Sequence, residues 1–441
     1  PVLIDDRRQI IDPHTAYRYE VAHDGARGQG GGVFRTAPAG RAPFTFAFFG
    51  DHGTDSPDAP FGSPASGMVV GSIEQVDPLF TIVAGDLAYS NIRDNPPRAW
   101  RDWFRMIHPS AGRRPWMPLV GNHEIERGNG ALGLAAYQTY FELPDNDAEG
   151  YLKGLWYAFS VGGVRFVMLA GDDVCYQDGA QVYLRGFSAG RQTAWLGQQL
   201  AQARQDPDVD WIVVCVHQPA VSTSEFHHGA DLGLREEWLP LFDAYGVDLV
   251  LCGHEHHYER THPLRGTVEG SPTLTPRPVP AAAPAVPRSR AESADPAGPA
   301  GPAGSAGAGG VLLDTSAGTV HMIVGTGGSS APSAGRLFDP PACRVVVGTE
   351  DPKPGHRHRR PVFAVEDAPW LAARSPEHPY AFAALTVDPG TPGGLTSIQV
   401  TLYDSTTPEP VPFDTFALVR PRSDAPARTA AAQPARLMDL S

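Results

Sequence analysis

Five times in this chain a short, nearly uninterrupted apolar run ends abruptly in polar residues. Phe44-Thr45-Phe46-Ala47-Phe48-Phe49 leads into Gly50-Asp51-His52-Gly53, and Leu79-Phe80-Thr81-Ile82-Val83-Ala84 leads into Gly85-Asp86. Met117-Pro118-Leu119-Val120 runs into Gly121-Asn122-His123-Glu124, and Trp211-Ile212-Val213-Val214-Cys215-Val216 into His217. The fifth case is Val247-Asp248-Leu249-Val250-Leu251, followed by Cys252-Gly253-His254-Glu255-His256-His257. Runs of this length and make-up read as strands buried on both faces. Between them, 98–108 and 189–206 carry apolar residues at helical spacing, so the order strand, loop, helix, strand predicts an α/β chain with largely parallel strands. Ligands of open α/β sheets gather beyond the carboxyl ends of the strands, and each of these polar motifs falls at such an end.

The flanks read differently. Within residues 1–41, Thr15–Val21 alternates apolar and polar positions, and a Gly-rich turn leads into a second strand over Gly32–Thr36. This is too short for a domain and reads as the last strand pair of a truncated β-sandwich. Leu155–Ser160 and Val164–Leu169 read as adjacent strands joined by Gly162-Gly163. Residues 42–265 therefore form the first part of the main domain. Residues 266–310, rich in Pro, Ala and Gly, lack the large apolar side chains needed to offset their ordering entropy and read as a disordered insertion. Residues 311–420 complete the domain with further strands, and 421–441 read as a disordered tail.

Among the 441 residues, 49 acidic side chains exceed 35 basic ones, giving a formal charge of -14 that disfavours a general nucleic-acid partner. No apolar run reaches the length of a membrane span. The chain opens on Pro1, which fits a removed leader or a fragment. Cys215 and Cys252 lie in apolar runs and read as core residues. Cys175 and Cys343 lie in loop-like sequence and could pair in an oxidising compartment.

Together the strand ends offer Asp51, Asp86, Tyr89, Asn122, His217, His254 and His256, seven oxygen and nitrogen donors that suit two metal ions better than one. Taken singly, each has a plain structural alternative: an aspartate as a helix cap, Asn122 as a turn residue, Tyr89 or His217 as a satisfied core residue. As a set they point to two ions about 3.5 to 4 Å apart that polarise a phosphoryl oxygen and generate hydroxide near neutral pH. The implied reaction is hydrolysis at phosphorus.

The motifs G-D-x-G (Gly50–Gly53), G-D-x-x-Y (Gly85–Tyr89), G-N-H-E (Gly121–Glu124), V-x-x-H (Val214–His217) and G-H-x-H (Gly253–His256) occur in the order found in purple acid phosphatases, which the chain resembles. Tyr89, three residues after the second aspartate, separates this resemblance from other binuclear metallophosphoesterases of the calcineurin-like superfamily. The resemblance implies two packed sheets flanked by helices, the metallophosphoesterase fold, and a fibronectin-like origin for residues 1–41. It implies that Asp51, Tyr89 and His256 hold Fe(III), with Asp86 bridging, and that Asn122, His217 and His254 hold a divalent Fe, Zn or Mn ion. A metal-bound hydroxide would attack the phosphate monoester, and His123, His227 or His228 would protonate the leaving oxygen. Small phosphorylated substrates and secretion are the corresponding expectations; a phosphodiesterase, a nucleotide hydrolase and a non-catalytic metal-stabilised module remain as alternatives. His52 and His257 read as exposed or as lying near substrate and ligands, Glu259 and Arg260 as an ion pair or capping residues, and His356–Arg360 as a basic loop that is a solvated charge run rather than an attractor of anionic substrate.

Overall fold

The computed structural model describes residues 11–23, 26–179, 182–280, 311–333, 335–354 and 359–425. Strands β1 (Ala16–His23) and β2 (Ala26–Arg35) form an antiparallel hairpin. The glycines read as a turn lie inside β2 instead, with Gly30, Gly31 and Gly32 opposite Val21, Glu20 and Tyr19. Their missing side chains have a use. A Cβ on Gly32 would stand 2.4 Å from the Gly112 carbonyl, and the Tyr19 hydroxyl crosses to donate to that same oxygen at 2.9 Å.

Next come β3 (Phe44–Phe49), α1 (Pro64–Val76), β4 (Phe80–Val83), α2 (Pro96–Ala111), β5 (Trp116–Pro118) and α3 (Ala135–Tyr140). The hairpin β6 (Tyr157–Val161) and β7 (Val164–Leu169) precedes α4 (Arg191–Gln205), β8 (Trp211–Val216), β9 (Ala230–Asp231), α5 (Leu232–Glu237), α6 (Leu239–Tyr245) and β10 (Leu249–Cys252). Then follow β11 (Tyr258–Thr261), β12 (Leu264–Thr267), β13 (Pro276–Pro278), β14 (Val311–Asp314) and β15 (Val320–Val324). The chain continues through β16 (Ala342–Glu350), β17 (Arg360–Asp367), β18 (Leu371–Ser375), β19 (Ala381–Asp388), β20 (Leu395–Asp404) and β21 (Val411–Pro421).

Among the described residues these strands build two seven-stranded sheets, ordered β14-β21-β20-β19-β3-β4-β5 and β18-β11-β15-β10-β8-β7-β6. The apolar runs that end in polar motifs are split between them. β3, β4 and β5 are parallel neighbours in the first sheet, and β8 and β10 are parallel neighbours in the second. Both sheets are mixed rather than largely parallel, because antiparallel strands from the second half of the chain, β19 to β21 and β11 with β18, extend the parallel centres. The inner faces meet through aromatic rings: Phe46 and Phe80 pack edge-on against Phe166 at 5.1 and 5.4 Å between centroids. Burying each such ring contributes about 2 to 3 kcal/mol.

Helices flank the sheets, and α1 and α2 start where their caps dictate. Ser63 accepts from the Ala65 N–H ahead of Pro64 in α1, and Asn95 accepts from the Arg98 N–H ahead of Pro96 in α2. α2 then buries Ala99, Trp100, Trp103, Met106 and Ile107 along one face. No helix among the described residues is long and apolar enough to cross a membrane.

Two boundaries read from composition move, and so does the reading of two cysteines. The stretch 266–280 is not part of a disordered insertion, because β12 and β13 pair there and Thr273 and Thr275 bond to Glu366; residues 281–310 lie outside the described residues. The C-terminal strand runs to Pro421, and the Ser423 N–H donates to Asp210 at 2.8 Å, so the tail boundary at 421 falls too early; 426–441 lie outside the described residues. Cys175 and Cys343 are free and buried rather than paired in loops, as are Cys215 and Cys252.

At the end of β10 remote from the His254 motif, fully buried Asp248 is gripped by Arg204 and Arg420 and accepts from the Ile212 N–H at 2.8 Å and the Thr315 hydroxyl at 2.7 Å. Burial alone would raise its pKa, but Arg420 and Arg204 hold it below the usual carboxylate value. Asp248→Asn strands two guanidinium groups and should lower the unfolding free energy at pH 7 by about 3 to 5 kcal/mol. Because the folded pKa is depressed, that contribution is present above about pH 4 and is lost as pH falls through the folded value. Urea melts of both proteins across this range should converge in acid.

Candidate metal centre

Where the strands end, the backbone turns sharply. Asp51, Asp86, Tyr89 and His254 all lie in the left-handed region, with φ of 60°, 53°, 49° and 70°. Such residues cost about 1 to 3 kcal/mol each and persist only where the surroundings over-determine them. The turns also bring backbones unusually close. A Cβ on Gly85 would lie 2.7 Å from Gly121 Cα and from His217 Nδ1, and one on Gly121 would lie 2.4 Å from the Asp86 amide. Two of the motifs thus begin with glycine because their strand ends abut.

The seven donors nominated from the sequence are brought together in two groups. In one, Asn122 Oδ1 lies 3.0 Å from His217 Nε2 and 2.9 Å from His254 Nδ1, and the two ring nitrogens are 3.2 Å apart. In the other, His256 Nε2 lies 3.2 Å from both Asp51 Oδ1 and the Tyr89 hydroxyl. Asp86 joins the first group, with Oδ1 3.3 Å from His217 Nε2.

The chemistry of these atoms fits cations. His217 Nδ1–H donates to the Ala84 carbonyl at 2.6 Å, and His256 Nδ1–H donates to the Ala331 carbonyl at 2.7 Å. Each ring therefore turns its Nε2 inward toward other acceptors. His254 Nε2–H donates to Gln177 Oε1 at 3.2 Å, which leaves Nδ1 facing Asn122. Asp51 Oδ1 is buried with no hydrogen-bond donor, an orphan that a positive ion would satisfy. Among the described residues, Asp86, His217 and His254, all buried, present ligand atoms within 4.8 Å of one another, as do His227, His228 and His254.

The electrostatics agree. Burial would push Asp86 up, yet His217 and His123 hold it well below the usual carboxylate range. Burial lowers His217, but Asp86 outweighs it and raises the ring to about 10, so a proton there plays the balancing part of a cation. Tyr89 is pushed well above the ordinary phenol value by burial and then by Asp51 and Asp86, so its ionisation needs a positive partner.

The three histidines named as possible acids occupy different places. His123 Nδ1–H donates to Asn91 Oδ1 at 2.8 Å, its Nε2 lies 4.0 Å from Asp86 Oδ2, and its ring packs on Tyr89 at 4.5 Å. His228 Nδ1 lies 3.2 Å from His254 Nε2, and burial followed by His227 lowers its pKa to about 3. His227 leaves 40% of its side chain exposed, with its ring 4.6 Å from His254 and 6.0 Å from His256.

Other readings change. His52 is buried, not exposed: its Nε2–H donates to the Ser66 carbonyl, Trp103 donates to its Nδ1, both at 3.1 Å, and burial lowers its pKa to about 4. His257 is buried as well and pairs with Glu259 at 2.9 Å, while Arg260 turns to Asp414 at 3.4 Å, so Glu259 and Arg260 are not partners. In the basic loop, Arg359 and Arg360 pair with Asp351 and Glu350, and 356–358 lie outside the described residues.

Several supporting residues were not singled out from the sequence. Glu124 closes the G-N-H-E motif and accepts three backbone N–H groups, from Asp86, Leu87 and Gly121, each at 2.8 Å. Gln177, Glu255 and Arg344 lie in no motif position read as functional. Only their tertiary partners mark them.

The calcineurin-like phosphoesterase family model matches residues 44–258. An uncharacterised protein of Mycobacterium tuberculosis, Rv2577, is 46% identical over 423 residues, covering 93% of this chain and 74% of that protein. Purple acid phosphatase 23 of Arabidopsis thaliana is 28% identical over 284 residues, which are 59% of this chain and 57% of that relative. A purple acid phosphatase, PPD1, from yellow lupin shares the fold, with a TM-score of 0.59 at 18% identity over 96% of this chain and 64% of that one. The chain belongs to the calcineurin-like phosphoesterases. Within them it is a purple acid phosphatase-like, metal-dependent phosphoesterase.

Glu124 gives a direct test of the frame beneath the donors. In Glu124→Gln the amide must turn a donor toward at least one of the three backbone N–H groups. Stability should fall by about 1 to 3 kcal/mol in urea unfolding, with native secondary structure retained.

Proposed function

We propose that the chain hydrolyses phosphate monoesters at two metal ions. Asp51, Tyr89 and His256 would hold a ferric ion and Asn122, His217 and His254 a divalent Fe, Zn or Mn ion, with Asp86 serving as a ligand common to both. The single observation carrying this reading is the convergence of buried acceptor atoms in two groups, Asp86 lying in the first and its charge acting on Tyr89 and His256 of the second, with second ring nitrogens tied off by Ala84, Ala331 and Gln177. Ions bound there would polarise the phosphoryl oxygens, acidify water and stabilise the departing oxygen.

Among the candidate acids, His227 is the residue we assign to the leaving group. Its side chain is 40% exposed against 19% for His123, and Glu255 occupies its Nδ1 at 3.2 Å, which leaves Nε2 to face substrate. His228 is turned inward to His254, and His123 to Asp86. The partners of this reading are small phosphorylated molecules. Export from the cytoplasm belongs to the same proposal, through the likeness to the plant enzymes, and cell fractionation tests it.

Elemental analysis of purified protein should find about two ions per chain. p-Nitrophenyl phosphate should turn over at least about tenfold faster than bis-p-nitrophenyl phosphate, roughly the rate ratio of a 1.4 kcal/mol preference. Chelation should abolish both activities, and iron with zinc or manganese should restore them. No turnover of either ester at full metal loading overturns the enzyme reading, and a faster diester moves the assignment to a phosphodiesterase. Tyr89→Phe should remove a visible charge-transfer band from the iron-loaded protein; an unchanged spectrum overturns the ferric assignment.

A further inference from the structure

We propose that Glu255 and Arg344 form a two-sided clamp that positions His227 over the metal centre. The inference rests on the assignment of His227 as proton donor. Glu255 is the spacer of the Gly253–His256 motif, and its side chain is fully buried beside two metal-ligand candidates. A carboxylate placed there is expensive unless it is paired. Its Oε1 accepts from His227 Nδ1–H at 3.2 Å and from the Gly229 N–H at 2.7 Å. The loop bearing His227 is thus tied from within, and the imidazole is fixed in the tautomer that turns Nε2 outward.

The outer side of the same loop is held by one guanidinium. Arg344, on β16, donates from Nη1 to the Glu225 carbonyl at 2.8 Å and from Nη2 to the carbonyls of His227 and, at 3.5 Å, Phe226. The guanidinium is itself packed over the Phe363 ring of β17 at 3.9 Å, and the strand carrying it pairs with β9 just beyond His228. Three successive carbonyls on one rigid fork are a backbone clamp, a task for which the point charge of lysine is a poor substitute.

The reaction being served is balanced as follows. Water adds its oxygen to phosphorus, and the phosphorus bond to the leaving oxygen breaks. That oxygen takes the Nε2 proton of the His227 imidazolium, and a proton released by the attacking water restores the imidazolium. A positioning defect therefore matters most when the leaving group needs the proton. An alkoxide does and p-nitrophenolate hardly does.

The test compares glycerol 2-phosphate with p-nitrophenyl phosphate in metal-loaded wild type, His227→Asn, Glu255→Gln, Arg344→Met and Arg344→Lys. For Glu255→Gln and Arg344→Met, kcat on the alkyl ester should fall about 30- to 100-fold, approaching the loss in His227→Asn, while kcat on the aryl ester falls less than about threefold and KM changes little. Arg344→Lys should recover part of the alkyl-ester rate. Combined with His227→Asn, neither change should cause much further loss, since residues acting as a unit are not additive. If His227→Asn shows the leaving-group-dependent loss and the other variants do not, or if they lose both esters equally, the clamp is overturned. If His227→Asn itself shows no such dependence, the donor assignment fails and the clamp with it. Metal content, measured for each variant, should match wild type; loss of metal in Glu255→Gln and Arg344→Met alike would show a role in building the centre and overturn the positioning role.

Discussion

The structure is organised around groups that repel one another. The donor atoms of Asp51, Tyr89 and His256, and those of Asn122, His217, His254 and Asp86, sit about 3 Å apart in buried surroundings. In water each would be separately solvated; in a low-dielectric interior their mutual approach is unfavourable without a positive charge between them. The fold answers with backbone amides. The His254 N–H donates to Asp51 Oδ2 at 2.7 Å, which leaves Oδ1 for the site, and the His123 N–H donates at 2.8 Å to Asp86 Oδ1, the oxygen that also faces His217 Nε2. The same logic places the left-handed turns, since only a sharply reversed chain brings both the amide and the neighbouring side chain to the same point.

Holding such an assembly requires rigidity that comes from elsewhere. The strand β10 illustrates the division of labour, with Asp248 and its two arginines at one end and His254 at the other. Between them lie Leu249, Val250, Leu251 and Cys252, all buried. The packed aromatic face shared by β3, β4 and β7 does the same for Asp51 and Asp86. Strain at four turn residues, about 1 to 3 kcal/mol each, is tolerable against burial of many such side chains.

Much of this was legible in the sequence, for a physical reason. Apolar runs, terminal glycines and the polar residues after them are local signals, and local signals gave the strands and nominated the seven residues that the fold brings together. What could not be read was long-range. Nothing local says that β19 pairs antiparallel with β3, or that the motif-bearing strands divide between two sheets. His52 shows the limit within one motif. It follows Asp51 directly, yet its ring turns into the core because Ser66 and Trp103, supplied by α1 and α2, complete its hydrogen bonds. The glycines of β2 and the ordered stretch 266–280 failed for the complementary reason: composition alone does not reveal a tertiary partner such as Gly112 or Glu366.

The spacer positions carry the deeper lesson. Residues Gly253–His257 run through two successive three-residue turns, closed by the Glu255 N–H on the Gly253 carbonyl and the His257 N–H on the Glu255 carbonyl, each at 2.8 Å. A ribbon of that kind repeats every second residue. His254 and His256 accordingly reach the two donor groups, while Glu255 reaches His227 and His257 reaches Glu259. A motif written as G-H-x-H marks the face that carries the two histidines and treats the intervening residue as filler. In this chain the intervening carboxylate joins the strand end that carries His254 and His256 to the loop that carries His227, so the motif has two working faces. The second became visible only when the fold set Glu255 beside the His227 loop held by Arg344.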